Sequence, residues 1–331
     1  MSSNNYIKNY SVGQIRLDAP YAHFLYQLPL LSFSDVQHAI DLSLVYQSKM
    51  TDNIFGIAEG YKLSLQKKLI IPENSVNPTH YMGDNGSITE LFTYGSSGFE
   101  VYAFNDNSKR ILRKTSSGFT LENPDDSKEL FSVSGNILNV IDKYGNTLLT
   151  YEYETINSKE VLTKVIYREA LTVSNATYKR VFDLHYSSTA QLTQIQYVFN
   201  GNEDYSINFS YDGSKMTVGH FSEVSYTLKK EDNIFSAYSH DTGSDYSESV
   251  DHWQKTTCEH SDYGSLTVKS FIGSKLVDEV IYHPIANIAD DKCEVWDVES
   301  FSGVRKRILF DGDFPKYSYE VTNVSTTSAP H

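Results

Sequence analysis

Short runs of alternating apolar and polar residues recur along most of the chain, each closed by Gly, Asn, Asp or Ser. A period of two sends successive side chains to opposite faces, the mark of a half-buried strand. The pattern predicts strands over Phe99–Phe104, Ile137–Ile141, Thr147–Tyr153, Leu162–Tyr167, Tyr178–Tyr186, Leu192–Tyr197, Tyr205–Tyr211, Leu276–Tyr282 and Lys316–Val321. Helical periodicity is nearly absent. Ser34–Leu44 opens as a helix would, yet Ile40–Tyr46 within it alternates, so a strand is expected there.

The connections carry hairpin chemistry. Asp84-Asn85-Gly86, Tyr144-Gly145-Asn146, Asn200-Gly201-Asn202 and Asp212-Gly213-Ser214 supply residues that tolerate positive φ. Strand, tight turn and strand then repeat, which fits a sandwich, a barrel or a spiralling sheet. The crossover helices of a parallel α/β sheet are missing. The expected fold class is all-β, an antiparallel hairpin array. The pattern is poorest over Gly219–Pro284, where an inserted lobe is an open alternative.

The clearest unit runs from Leu138 to Tyr153, L-N-V-I-D-K-Y-G-N-T-L-L-T-Y-E-Y. Its apolar strand ends at Asp142, turns through Tyr144-Gly145-Asn146 and returns to finish Tyr151-x-Tyr153. This unit resembles the repeats of the RHS, or YD-repeat, proteins. Upstream, Ile40–Ser48, Phe55-Gly56 and Gly60–Leu65 resemble the segment that precedes the repeats in that family, and His80–Ser87 resembles its Asp-Gly-Ser hairpin. The resemblance covers about residues 10–220. It implies a long sheet that spirals into a shell, often around a toxin domain. No Asp-Pro-x-Gly-Leu motif of the self-cleaving kind occurs here, so a curved or shell-like sheet is the expectation. Two parts follow from the resemblance: an opening β region over 1–135 and a YD-repeat-like region over 136–331.

Composition sharpens this picture. Among 331 residues are 25 Tyr and 17 Phe, and aromatic side chains suit a pleated, half-buried surface. The formal net charge of −14 repels polyanions, so neither nucleic acid nor an anionic membrane is an expected partner. Cys258 and Cys293 are too few for a secreted disulfide scaffold; they are expected as buried free thiols, with pairing the alternative. Met1–Tyr6 lacks the features of a signal peptide, and no apolar run is long enough to span a bilayer. The chain is therefore expected to be made in the cytoplasm and then released or built into a virion or delivery particle.

Candidate chemistry is sparse. The motifs G-x-x-x-x-G-K-[ST], G-x-G-x-x-G, H-E-x-x-H and G-x-S-x-G do not occur. The richest polar stretch, Ser239–Tyr263, contains Cys258-x-His260 but lacks paired-ligand spacing, and Asp311-Gly-Asp313 reads as a plain turn. No catalytic, cofactor or metal residue is assigned, and no cofactor is expected. Tyr46, Tyr61, Tyr81, Tyr94 and Tyr102 fall in or beside strands, where they either stack on a partner or pack in the core. The expected role is a non-enzymatic structural or binding scaffold, such as a phage particle, surface or toxin-delivery component. It would assemble with a protein partner or with itself through sheet edges. A carbohydrate-binding or carbohydrate-active β protein is the alternative.

Overall fold

The computed structural model describes residues 8–10, 13–18, 23–34, 39–48, 50–94, 101–105, 108–173, 176–199, 201–220, 224–241, 254–261, 265–286, 295–300, 302, 305–311 and 314–320. Among these the secondary structure is β throughout, with antiparallel pairing and no helix. Ile40–Tyr46 lies within the strand Ala39–Gln47, as its alternation predicts. The predicted strands are present wherever they are described, several of them longer than the alternation alone marks; Leu162–Tyr167, for example, sits inside Lys159–Val173, while Phe99, Glu100 and Val321 lie outside the described residues.

The chain divides into two units, one comprising 25–210 and 218–223, the other 1–24, 211–217 and 224–331. In the first, His23–Ser34 pairs with Ala39–Gln47, which pairs with Tyr61–Leu63. A second run of strands begins at Lys68–Ile70 and proceeds by nearest neighbours through His80–Met82, Ile88–Tyr94 and Val101–Phe104. The same serial pairing continues from Ile111–Thr115 to Asn202–Asp212. The core of this unit is a ladder of cross-strand pairs: Tyr102 opposite Leu112, Leu112 opposite Leu121, Val165 opposite Phe182 and Phe182 opposite Tyr197. Tyr26, Tyr46, Tyr102 and Tyr167 are among the largest fully buried side chains, so much of the aromatic excess is core. Each such ring contributes roughly 1.5–3 kcal/mol over an exposed one.

In the second unit, strands from Val224–Glu231 to Phe314–Glu320 again pair in chain order. Where it is described, the stretch of poorest alternation is therefore further hairpin array. Its period was hidden because Ser225, Thr227, Ser236, Thr256 and Ser270 occupy buried positions where an apolar residue would have shown the pattern. Cys258 is buried there as a free thiol, and Cys293 lies outside the described residues.

One turn recurs. In Gly83–Ser87, Asn123–Ser127, Ser132–Asn136, Asp142–Asn146 and Ser187–Gln191, the first N–H donates to the fifth carbonyl and the fourth N–H donates back to the first carbonyl. The fourth residue has positive φ at each: Gly86 +83°, Asp126 +66°, Gly135 +84°, Gly145 +85° and Ala190 +61°. This is the three-residue hairpin loop that ends in a left-handed residue, and its right-handed twist matches the flanking strands. Side chains reinforce it in two ways. Asp142 Oδ1 accepts from the N–H of Tyr144 and of Asn146, and the Oγ atoms of Ser132 and Ser187 accept from the N–H of Asn136 and Gln191. In the other form the third residue acts: Asn85 Oδ1 accepts from Ser87 N–H and Asp125 Oδ1 from Ser127 N–H. Short polar side chains that bond their own backbone are favoured in turns for this reason.

Candidate functional site

The tips of these turns grip the opening segment of the first unit. Leu69 N–H donates to the carbonyl of Gly135 at 2.8 Å, and Leu192 N–H donates to that of Gly56 at 2.6 Å. A Cβ added to Gly135 would sit 2.2 Å from the carbonyl oxygen of Leu69; one added to Gly56 would sit 2.8 Å from that of Ala190. Glycine is required at both because two backbones meet there, and both have positive φ.

Lys62 makes the third grip. It is fully buried in the strand Tyr61–Leu63, and its Nζ donates to the carbonyls of Gly83 at 2.8 Å and Asp84 at 3.0 Å. Burial pulls its pKa down to about 7, against the opposing attraction of Asp84 and with a further push from Lys67. Desolvation disfavours the charged form, and two carbonyl dipoles only partly restore what water supplied.

Beside it lies a buried polar cluster around Glu129, which is 4% exposed. Glu129 occupies a core-facing position in phase with Phe131 and directly opposite Leu121. Its Oε1 pairs with Lys67 Nζ at 2.5 Å and its Oε2 accepts from the Tyr81 hydroxyl at 3.1 Å. Burial alone would lower the Lys67 pKa, but the Glu129 carboxylate, by its charge and its hydrogen bond, and Asp84 together outweigh it and the net shift is upward. The Tyr81 hydroxyl is pushed well above its ordinary value, first by burial and then by Glu129. The Arg110 guanidinium covers the Tyr81 ring at 4.9 Å and the Phe104 ring at 4.2 Å.

Further along the same unit a partly open cleft is lined by Lys68, Asn136, Tyr153 and Glu160, with Phe55 and Leu162 among its apolar walls. Asn136 Nδ2 donates to Glu160 Oε2 at 2.5 Å, and Ser134 Oγ donates to the same oxygen at 3.2 Å. Burial lowers the Lys68 pKa, with Glu160 acting in the opposite sense. Lys62, Glu129 and this cleft were not singled out in the sequence. The usable signal was phase, since Glu129 alternates with Phe131 and so shares its buried face.

Of the five tyrosines considered as contact residues, Tyr46, Tyr61, Tyr81 and Tyr102 are 1–5% exposed and belong to the core. The side chain of Tyr94 lies outside the described residues, as does most of Ser239–Tyr263 and the centre of the Asp311–Asp313 turn. Among the described residues no group of three or more His, Cys, Asp or Glu could hold a metal ion, and no helix is long and apolar enough to cross a membrane.

No family model and no curated protein matches the chain. Among solved structures it is similar to the N-terminal domain of the effector protein SpvB from Salmonella typhimurium strain LT2, at 13% identity and a TM-score of 0.31. That likeness spans 86% of this chain and 98% of the other. It is also similar to a chain in the crystal structure of TcdB2-TccC3-TEV, at 10% identity and a TM-score of 0.28 over 91% of this chain and 19% of that one. TcdB2-TccC3 without its hypervariable C-terminal region gives 8% identity and a TM-score of 0.28 over 92% and 19%. Likenesses at TM-scores this low do not establish a shared role.

Proposed function

We propose that this chain is a non-enzymatic structural or binding scaffold, a component of a larger protein assembly such as a phage particle, a surface structure or a toxin-delivery complex. The observation that carries the reading is the serial hairpin array whose turn tips clasp the opening segment through Leu69, Leu192 and Lys62. The buried charges among the described residues are engaged within the fold: Lys62 holds two backbone carbonyls, Glu129 is shared by Lys67 and Tyr81, and Asp142 closes its own turn. Groups tied up in this way hold strands together and are poorly placed to meet a substrate. The burial of Tyr46, Tyr61, Tyr81 and Tyr102 also removes four of the five rings that would have formed an aromatic platform for sugars.

The reading is tested by co-expressing the chain with the products of its neighbouring genes, followed by native mass spectrometry. A complex of fixed stoichiometry is expected. A chain that remains a monomer beside those products, and that cleaves a cell-wall or capsule polysaccharide with loss of cleavage on one carboxylate substitution, would overturn it.

A further inference from the structure

Lys68 and Asn136 face each other in an antiparallel bridge, held in register by the adjacent bond from Leu69 N–H to the Gly135 carbonyl. Residues so paired have β-carbons about 4.5–5.5 Å apart and side chains on one face, within the span of a lysine reaching for a side-chain amide. Both line the same cleft, and Glu160 lines it with them. Asn136 is 6% exposed, and its amide nitrogen already touches the Glu160 carboxylate at 2.5 Å. Nearby Lys67 is held by Glu129 and Lys62 by two carbonyls, whereas the Lys68 ammonium has no hydrogen bond or ion pair among the described residues.

We propose that Lys68 and Asn136 form an intramolecular isopeptide bond, with Glu160 relaying the proton. The neutral Lys68 Nζ adds to Asn136 Cγ, forming the Nζ–Cγ bond. The Glu160 carboxylate takes the proton released from Nζ and passes it to Nδ2, the atom from which it already accepts a hydrogen bond. The Cγ–Nδ2 bond then breaks and ammonia leaves, so that an amine and a primary amide become a secondary amide with no oxidant or co-reactant. Three features favour the step. Burial lowers the Lys68 pKa, which raises its free-amine fraction near neutrality. The bridge holds nucleophile and electrophile together, supplying the proximity that makes an otherwise slow amide exchange feasible. The burial of Asn136, 6% exposed, shelters the reacting amide from competing water. The bond would rivet the opening segment to the turn Ser132–Asn136 covalently at the place where Leu69 and Gly135 already meet. The inference stands independently of the proposed function.

The experiment is the intact mass of the denatured full chain, with peptide mapping. The expected mass is one ammonia below that of the sequence, with a branched peptide joining residues 68 and 136. Lys68→Arg and Glu160→Gln should both return to the full sequence mass while keeping the β-type circular dichroism of the parent. A parent chain at the full mass overturns the proposal. So does an ammonia loss that persists in Lys68→Arg, which would mark a succinimide such as one at Asn85-Gly86. Retention of the bond in Glu160→Gln would overturn the relay.

Discussion

Asp142 closes its turn on Asn146: one carboxylate oxygen accepts the Asn146 backbone N–H at 2.8 Å, and both carboxylate oxygens bond the Asn146 side-chain amide, at 3.2 and 3.0 Å. The same oxygen takes the Tyr144 N–H at 2.9 Å. Asp142 is 7% exposed but Tyr144 and Asn146 are exposed, so water can take over their donors when the carboxylate is removed. Asp142→Ala should cost roughly 0.5–1.5 kcal/mol in urea denaturation, the net worth of an ordinary hydrogen bond. Asp142→Ser, which keeps an oxygen at the position that Ser132 and Ser187 use, should cost less.

Gly135 and Gly145 have nearly the same φ, +84° and +85°, but differ in surroundings. A Cβ at Gly145 would meet nothing within 4 Å, whereas one at Gly135 would strike the Leu69 carbonyl. Gly145→Ala should therefore cost about 1–2 kcal/mol, the usual penalty of a left-handed alanine. Gly135→Ala should cost clearly more, because it also breaks the contact with the opening segment. Equal midpoint shifts would mean that the contact is absent.

Glu129 joins Lys67 and Tyr81 in the core. Glu129→Leu leaves a buried ammonium without its carboxylate and should cost about 3–5 kcal/mol. Pairing it with Lys67→Met should recover a large part of that loss. A double-mutant cycle in guanidinium chloride checks this, and strict additivity would deny the coupling.

Lys62 sets a pH dependence whose sign follows from its lowered pKa. Folded, the group releases its proton near pH 7, whereas the unfolded side chain holds it to about 10.5. Between those values the unfolded state binds more protons, so stability rises with pH. Above about 9 the buried Cys258 thiol and the buried tyrosines, whose values are raised, begin to act in the opposite direction. The window is therefore pH 7 to about 9. Unfolding midpoints of the parent should climb across it, and Lys62→Met should flatten the climb. Lys159, also lowered, leaves a shallower residual slope.

The fold was largely legible in the sequence because its strands are half-buried and alternate. Leu138–Tyr153 showed its strand, turn and strand outright, and the structure places them at Ile137–Ile141 and Thr147–Ile156. Turns without glycine were harder to see. Ser187–Gln191 adopts the same loop with Ala190 in the left-handed position, and Asn123–Ser127 does so with Asp126. The buried lysines and Glu129 were illegible for a different reason. Charge in a strand predicts solvent; phase with Phe131 was the one sign for Glu129, and only the approach of the turn at Gly83 and Asp84 reveals that Lys62 faces inward.

The account rests on the turn tips holding the opening segment, and residue-resolved native-state hydrogen exchange tests that contact most directly. The amides of Leu69 and Leu192, which donate to Gly135 and Gly56, should exchange only with global unfolding, alongside Val165 and Phe182 in the ladder. Rapid exchange at Leu69 and Leu192 while Val165 and Phe182 stay protected would contradict it.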